Sequence, residues 1–293
     1  MVEAVSAWTR YWQTGQRHSC INTQTSDGAE LAKIWTDLAM TLRNGARVLD
    51  LATGNGAVTE QLAKSNQGLH ITGVDQAEIT PPRSQVSYLG NTNITQLPFV
   101  DSSFDVVTSQ FGFEYALQPA AALEASRVLA DGGQMCLLLH HPQSVIVESN
   151  MLKIPEIKAL LRPDGLLDKC RDCLHNQLPF ADLEAAGQAY LATSTLHSRQ
   201  ITGQVFEAIG ILHQLKQKTP ASAHEHLETL VGRLSAEGDR LQQMRDAAVS
   251  EDQVKTLTLT FAEAGVTLAA PEKFHSGHAD QPALIGWLLR GRR

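Results

Sequence analysis

The segment Val48-Leu49-Asp50-Leu51-Ala52-Thr53-Gly54-Asn55-Gly56-Ala57-Val58 constrains this chain more than any other. An apolar run of strand length passes into a glycine-containing turn and then into a helical pattern over residues 58–65. Glycine at 54 and 56 permits a tight turn and leaves no Cβ in the way of a ligand. The helix that follows presents its N–H groups and the positive end of its dipole to the same place. A strand, a glycine turn and a helix in this order make a nucleotide-class site at the end of a parallel strand.

Two acids and one threonine refine that reading. Asp50 lies inside the motif, at the strand end, where a carboxylate repels a pyrophosphate and suits a cationic ligand such as a sulfonium amino acid. Thr59 stands where a dinucleotide fingerprint needs a third glycine or an alanine. Both argue against a nicotinamide dinucleotide. Asp75, followed by Gln76, ends the second strand, where an acid accepts hydrogen bonds from both ribose hydroxyls. That feature supports adenosine without choosing between cofactors.

Around this motif, short apolar runs alternate with helical patterns, the signature of a mostly parallel sheet. Strands are expected at residues 47–51, 71–74, 86–89, 104–109 and 135–139. A helix over 120–129 is expected to stop at Asp131-Gly132-Gly133, since glycine commonly follows a helix end. After His141-Pro142 the alternation gives way to helices, among them residues 221–249 after the Thr219-Pro220 break. It returns near Asp252 with a helix over 254–264 and strands over 266–270 and 283–289. The layout is an α/β fold with a doubly wound, mostly parallel sheet. A helical cap segment spans residues 1–45, the cofactor-binding domain spans 46–142 and 251–293, and a helical insertion spans 143–250.

Of the 293 residues, 43% are hydrophobic and only 5% aromatic, so Leu, Val, Ile and Ala must fill most of the core. The net charge of −7 disfavours a nucleic-acid partner, which binds through Lys and Arg. The terminal Arg290-Gly291-Arg292-Arg293 is too short to change that. No leader pattern and no apolar window of the ~18 residues a membrane span requires are visible. A cytoplasmic protein with no membrane partner is the expectation. Cys170 and Cys173 form a single CxxC pair, whereas a closed zinc site needs four ligands, so no metal is expected. Cys136 reads as a small buried hydrophobe.

On these residues the chain resembles the class I S-adenosylmethionine (SAM)-dependent methyltransferases, particularly those that modify small metabolites. Asp50, Gly54 and Gly56 match that family's first motif, with Ala52 in place of its first glycine. Leu97-Pro98-Phe99-Val100-Asp101-Ser102-Ser103-Phe104-Asp105 matches the segment leading into its fourth strand. Arg127-Val128-Leu129-Ala130-Asp131-Gly132-Gly133 matches its turn before strand five, with Asp131 where proline is usual. The resemblance implies a Rossmann-like sheet with an antiparallel last strand and SAM as cofactor. It implies that Asp50, Ala52, Thr53, Gly54, Asn55 and Gly56 form the cofactor turn and that Asp75 and Gln76 meet the ribose. Asn93 and Ile94 would lie beside the adenine, and Gln110 and Phe111 beside the methionine part. Pro81-Pro82 replace most of the family's second helix.

Methyl transfer needs alignment and exclusion of water, and a base only where the acceptor holds its proton. His140 and His141, at the carboxyl end of strand five, are the base candidates, with Glu114 and Tyr115 after strand four as further ones. Tyr11 and Trp12 belong to a segment that can fold over the methionine end, where an aromatic face attracts a sulfonium. Arg17-His18-Ser19-Cys20 adds donors with no spacing that names a role. The insertion's apolar stripes must be buried against the domain, one another or a second subunit, so it is read as a substrate-selecting lid or a homodimer contact. A catalytically silent SAM-binding partner and an NAD-linked oxidoreductase are the competing functions.

Overall fold

The computed structural model describes residues 2–16, 26–82, 84–116, 119–193, 199–276 and 282–293. It separates into two compact units, Met1–Glu148 with Gln243–Arg293, and Ser149–Gln242. Among the described residues of the first unit, eight strands form one sheet in the order β3-β2-β1-β4-β5-β8-β6, with β7 also paired to β8. Strands β1 (Arg47–Leu51), β2 (His70–Val74), β3 (Ser87–Leu89), β4 (Phe104–Gln110) and β5 (Leu129–Leu139) are mutually parallel. Strand β8 (Leu284–Arg292) lies antiparallel to β5, as expected for the last strand. Strand order reverses between β1 and β4, and the crevice at the carboxyl ends of such a pair is where open α/β sheets bind ligands.

The central strands read as continuous apolar runs because both faces are covered. Helices α4 (Pro119–Val128) and α11 (Glu251–Glu263) pack together and send Ala121, Ala125, Val128, Leu257 and Phe261 into a core with Leu49, Val107, Leu137 and Leu289. Helix α3 (Ala57–Ser65) packs on α2 (Ser26–Thr41). Helix α11 starts at a complete capping box, in which Ser250 and Gln253 satisfy each other's backbone N–H groups. Among the described residues between β2 and β3 there is no helix, in keeping with Pro81-Pro82.

Two expectations need correction. Helix α4 ends at Val128, and Asp131-Gly132-Gly133 falls inside β5 as a bulge, between the Phe104↔Leu129 and Val106↔Gln134 pairs. The reason is a distant partner. Gly132 N–H donates to the Arg293 carbonyl, and Arg293 N–H donates to that of Gly133. The Arg293 guanidinium also donates to the carbonyls of Ser126 and Leu129, at 2.7 Å each, closing the end of α4. The strand expected over 266–270 is only β6 (Thr267–Leu268), and β7 (Glu272–His275) follows it, unforeseen because Glu-Lys-Phe-His has no alternating pattern.

The second unit is helical. Helices α6 (Lys153–Leu160), α7 (Leu166–Leu174), α8 (Phe180–Thr193) and α9 (Gln200–Lys216) lie within it. Helices α5 (Val145–Met151) and α10 (Pro220–Ala247) run across its boundaries. Its core joins Leu160, Leu167, Leu183, Ile209, Leu212 and Leu227. Cys170 and Cys173 are part of that core, and burial pushes the Cys170 thiol up to about 12. No described helix is long and apolar enough to cross a membrane.

Candidate active site

The turn after β1 is built from left-handed residues. Ala52, Gly54 and Gly56 have φ of 52°, 54° and 88°. Ala52 therefore adopts a glycine-like conformation that costs an L-residue roughly 1–2 kcal/mol. Strain of this kind persists only where the surroundings over-determine it, and it concentrates at functional sites. Here Thr53 N–H donates to the Val74 carbonyl at 2.9 Å and Gly56 N–H to that of Thr53 at 3.0 Å. Both glycines are required, though not because their faces lie open. A Cβ on Gly54 would collide with the six-membered ring of Trp12, and one on Gly56 with the Tyr88 hydroxyl. The sequence reading reserved both faces for a ligand, whereas in the structure two aromatic side chains stand on them.

The two acids are buried side by side at the strand ends. Asp75 accepts from Gly54 N–H and Ala77 N–H, each at 2.8 Å, one on each oxygen. A carboxylate carries about four acceptor positions, so capacity remains for hydroxyl donors. Burial pushes Asp75 up to about 6, with those two backbone donors opposing. Asp50 is 1% exposed and accepts from the Thr108 hydroxyl at 2.8 Å through Oδ1. Its Oδ2 has no hydrogen-bond partner among the described residues, nor does the Thr53 hydroxyl. Burial pushes Asp50 up to about 7. The Thr53 and Thr108 hydroxyls pull it down, Thr53 from nearby but outside hydrogen-bond geometry, and the Asp75 charge raises it further. Among the described residues this leaves a buried carboxylate oxygen with no donor beside a strained turn at the switch point of the sheet. These residues fit an amino-acid sulfonium cofactor.

The other candidates divide. Asn55 is buried, but its Nδ2 donates to the Trp12 and Gln16 carbonyls and its Oδ1 accepts from Thr80 N–H. It ties helix α1 (Val2–Gln13) to the turn. Thr80 Oγ1 also donates to the Trp12 carbonyl, and Glu78 N–H donates to Thr9 Oγ1. Tyr11 stands edge-on to Trp8 and Trp12. Gln76 is exposed. Asn93 is exposed, and its side-chain oxygen accepts from the N–H and hydroxyl of Thr95, both at 2.9 Å, which makes it a turn residue here. Ile94 is part of the sheet core. Gln110 accepts from the Trp35 indole N–H at 2.6 Å. Arg17-His18-Ser19-Cys20 lie outside the described residues.

At the ends of β4 and β5 the base candidates separate. Phe111 has φ of 54° and stacks on the His140 ring at 4.5 Å. A 3-10 turn, Phe113–Ala116, brings Glu114 back onto His140, Oε1 to Nδ1 at 2.6 Å. The Tyr115 ring stands edge-on to His140 at 6.1 Å and to Trp8 at 5.3 Å. His141 faces elsewhere. Its Nδ1 accepts from Gln143 N–H at 3.0 Å, its ring lies 5.0 Å from Trp287, and burial, with Lys273 nearby, lowers its pKa. Sequence reasoning missed Trp8, Thr80 and Tyr88, because no local pattern marks residues whose partners lie far along the chain.

Residues 49–137 match the model of a methyltransferase domain family. A demethylmenaquinone methyltransferase of Clavibacter sepedonicus is 34% identical over 125 residues, 40% of this chain and 50% of that protein. One of Thermus thermophilus is 34% identical over 142 residues, 43% of this chain and 62% of that protein. The chain thus spans between half and two thirds of the length of these relatives. A Burkholderia thailandensis 1,6-didemethyltoxoflavin N1-methyltransferase, solved with S-adenosylhomocysteine bound, is 17% identical. It covers 48% of this chain and 62% of its own, with a TM-score of 0.38.

The doubly wound sheet and its glycine turn define a nucleotide-class α/β domain. Over residues 49–137 that domain matches a methyltransferase domain family, and SAM-dependent methyltransferases are what it is similar to.

Proposed function

We propose that this protein transfers a methyl group from SAM to a small-molecule acceptor by in-line displacement. The observation that carries the reading is the buried Oδ2 of Asp50, without a hydrogen-bond partner among the described residues, beside the left-handed turn Ala52–Gly56. Relatives named as demethylmenaquinone methyltransferases support a small organic acceptor.

When bound, SAM supplies a methyl carbon already activated by positive sulfur. The chain's own residues bind, orient and shield. Asp50 offers a carboxylate to the ligand's positive charge, and Asp75 offers acceptor positions to its ribose hydroxyls. The glycine turn, with Thr53, shapes the approach. Helix α1, through Trp8, Tyr11 and Trp12, covers the carboxyl edge of the sheet and keeps water from it. Water exclusion strengthens each electrostatic contact inside. His140 remains the base candidate of this reading, for an acceptor that has a proton to lose. The insertion over 143–250 is assigned to acceptor selection.

Titration calorimetry with SAM, S-adenosylhomocysteine and NAD tests the cofactor. Binding of the first two and not the third is expected, and NAD binding with no SAM binding overturns the reading. Transfer of labelled methyl from SAM to a metabolite extract then separates an enzyme from a silent SAM-binding protein.

A further inference from the structure

Counted as a dinucleotide fingerprint is counted, Gly54 is the first glycine of the turn, Gly56 the second, and Thr59 takes the third place. The second glycine of such a fingerprint lacks a side chain so that a pyrophosphate can reach the backbone beside the helix N-terminus. Here that space is taken. A Cβ on Gly56 would run into the Tyr88 hydroxyl, and next into Thr59 Oγ1 at 3.0 Å. Tyr88 belongs to β3, where it is the register partner of Gly73 in β2, so its backbone is fixed in the sheet. Gly73 is in turn the partner of Asp50, which puts Tyr88, Gly73 and Asp50 in one row across a single face. The Thr53 side chain fills the gap over Gly73 between them. From Asp50 to α3, one flank of the turn is thus packed with the chain's own side chains.

The protons on this flank decide what it can hold. Thr59 is fully buried, and its hydroxyl donates to the Gly56 carbonyl at 3.0 Å. A hydroxyl has a single proton to give. The 2.7 Å contact between Thr59 Oγ1 and the Tyr88 hydroxyl is therefore one in which Tyr88 donates. With its proton committed to Thr59, the Tyr88 oxygen offers Gly56 only lone pairs. Burial raises the Tyr88 phenol above its ordinary value, with the Thr59 and Ser84 hydroxyls opposing, so the proton stays on. An anion at Gly56 would meet lone pairs in place of donors, and Glu60 adds a negative charge in the first turn of α3. A tyrosine that only packed an edge strand would need no hydroxyl, since phenylalanine fills the same volume but for one atom.

We infer that Tyr88, held by Thr59, is a specificity-determining residue that shuts the pyrophosphate position of the glycine turn and restricts the site to adenosyl ligands without phosphate. The inference rests on the SAM reading and deepens it. It assigns the exclusion of dinucleotides and of ADP to a hydroxyl brought in by β3, and not only to the absence of a third glycine. SAM has no phosphate to place at Gly56, so the closure does not oppose it.

Calorimetry with ADP and S-adenosylhomocysteine tests this in the wild type, Tyr88→Ala and Tyr88→Phe. Tyr88→Phe keeps the ring in β3 and removes only the oxygen, so it guards against a loss of fold in Tyr88→Ala. The ratio of the two affinities within each protein cancels any general weakening of the site. The wild type should bind ADP at least about a hundredfold more weakly than S-adenosylhomocysteine. That ratio should fall at least about tenfold in Tyr88→Ala, and by a smaller factor in Tyr88→Phe.

A second readout needs no adenosyl ligand. In protein labelled with 15N at glycine, the assigned Gly56 amide signal should stay in place when inorganic pyrophosphate is added to the wild type. It should shift in both Tyr88 variants. An affinity ratio that is equal in all three proteins, or a Gly56 signal that answers pyrophosphate alike in wild type and variants, overturns the inference. Failure of the wild type to bind SAM or S-adenosylhomocysteine, with Gly56 responsive to pyrophosphate only in the variants, would instead fault the cofactor reading and leave the closure standing.

Discussion

The indole of Trp12 lies against the α-carbon of Gly54, in the space that a side chain at position 54 would fill. The neighbouring Asn55 donates to the Trp12 carbonyl at 2.9 Å, so the turn and α1 are joined by packing and by hydrogen bonds. The glycine that the sequence assigns to a ligand is thus also the seat of the N-terminal helix.

Gly54→Ala should unseat α1. The new methyl meets the Trp12 ring, and φ of 54° is strained for any L-residue, so about 1 kcal/mol of strain adds to the clash. Tryptophan emission should shift to the red, and proteases should cut more readily near Gln16. Unchanged emission and cleavage would show that α1 is held without this seat.

Asp75→Ala should weaken SAM binding at least about tenfold by calorimetry. Each charge-assisted hydrogen bond to a ribose hydroxyl is worth roughly 1.5–3 kcal/mol. The variant also frees Gly54 N–H, which Asp75 now accepts at 2.8 Å, so loosening of the turn should accompany the loss. Equal affinity would place the ribose elsewhere.

The unliganded protein should be more stable near pH 5 than near pH 8. Burial raises Asp50 from 3.8 to about 7 and Asp75 from 3.8 to about 6, so the folded state holds protons that the unfolded chain has lost. Their contribution is full below the unfolded values and declines as pH rises through the folded ones. Melting temperature measured from pH 5 to 8 should fall, and Asp50→Asn should flatten the fall. SAM brings a positive charge to these carboxylates, so its affinity should rise over the same window. A melting temperature that climbs with pH and is indifferent to Asp50→Asn would contradict the assignment.

Arg293→Ala should cost roughly 1–2 kcal/mol, a few degrees in melting temperature. It strips two 2.7 Å donors from the carbonyls of Ser126 and Leu129 at the end of α4. Thermal unfolding of the variant checks this, and no change would assign the capping to the backbone pairing of Gly132 and Gly133 alone.

Replacing residues 149–242 with a short flexible linker should leave SAM affinity unchanged and abolish methyl transfer. The basis is that this unit holds a core of its own, whereas the glycine turn, Asp50 and Asp75 belong to the other unit. Retained transfer would remove the insertion from acceptor selection.

Local spacing by itself determined the strand–glycine turn–helix around Gly54 and Gly56, the strands β1 to β5 with helices after β1 and β4, the absence of a helix at Pro81-Pro82 and the late strand β8. Those features repeat with the short periods of strand and helix, or depend on one residue's own φ, so a window of a dozen residues contains their cause. Only the tertiary structure decided the rest. Ala52 takes a glycine's conformation in a turn that the Val74 carbonyl, at the end of β2, fixes through Thr53 N–H. The bulge in β5 exists because Arg293 reaches it from the far end of the chain. Trp12 on Gly54, Tyr88 on Gly56 and Glu114 on His140 are meetings of residues tens of positions apart, each set by strand order and crossover. No local pattern carries such a contact, because its free energy depends on where the fold brings the second residue.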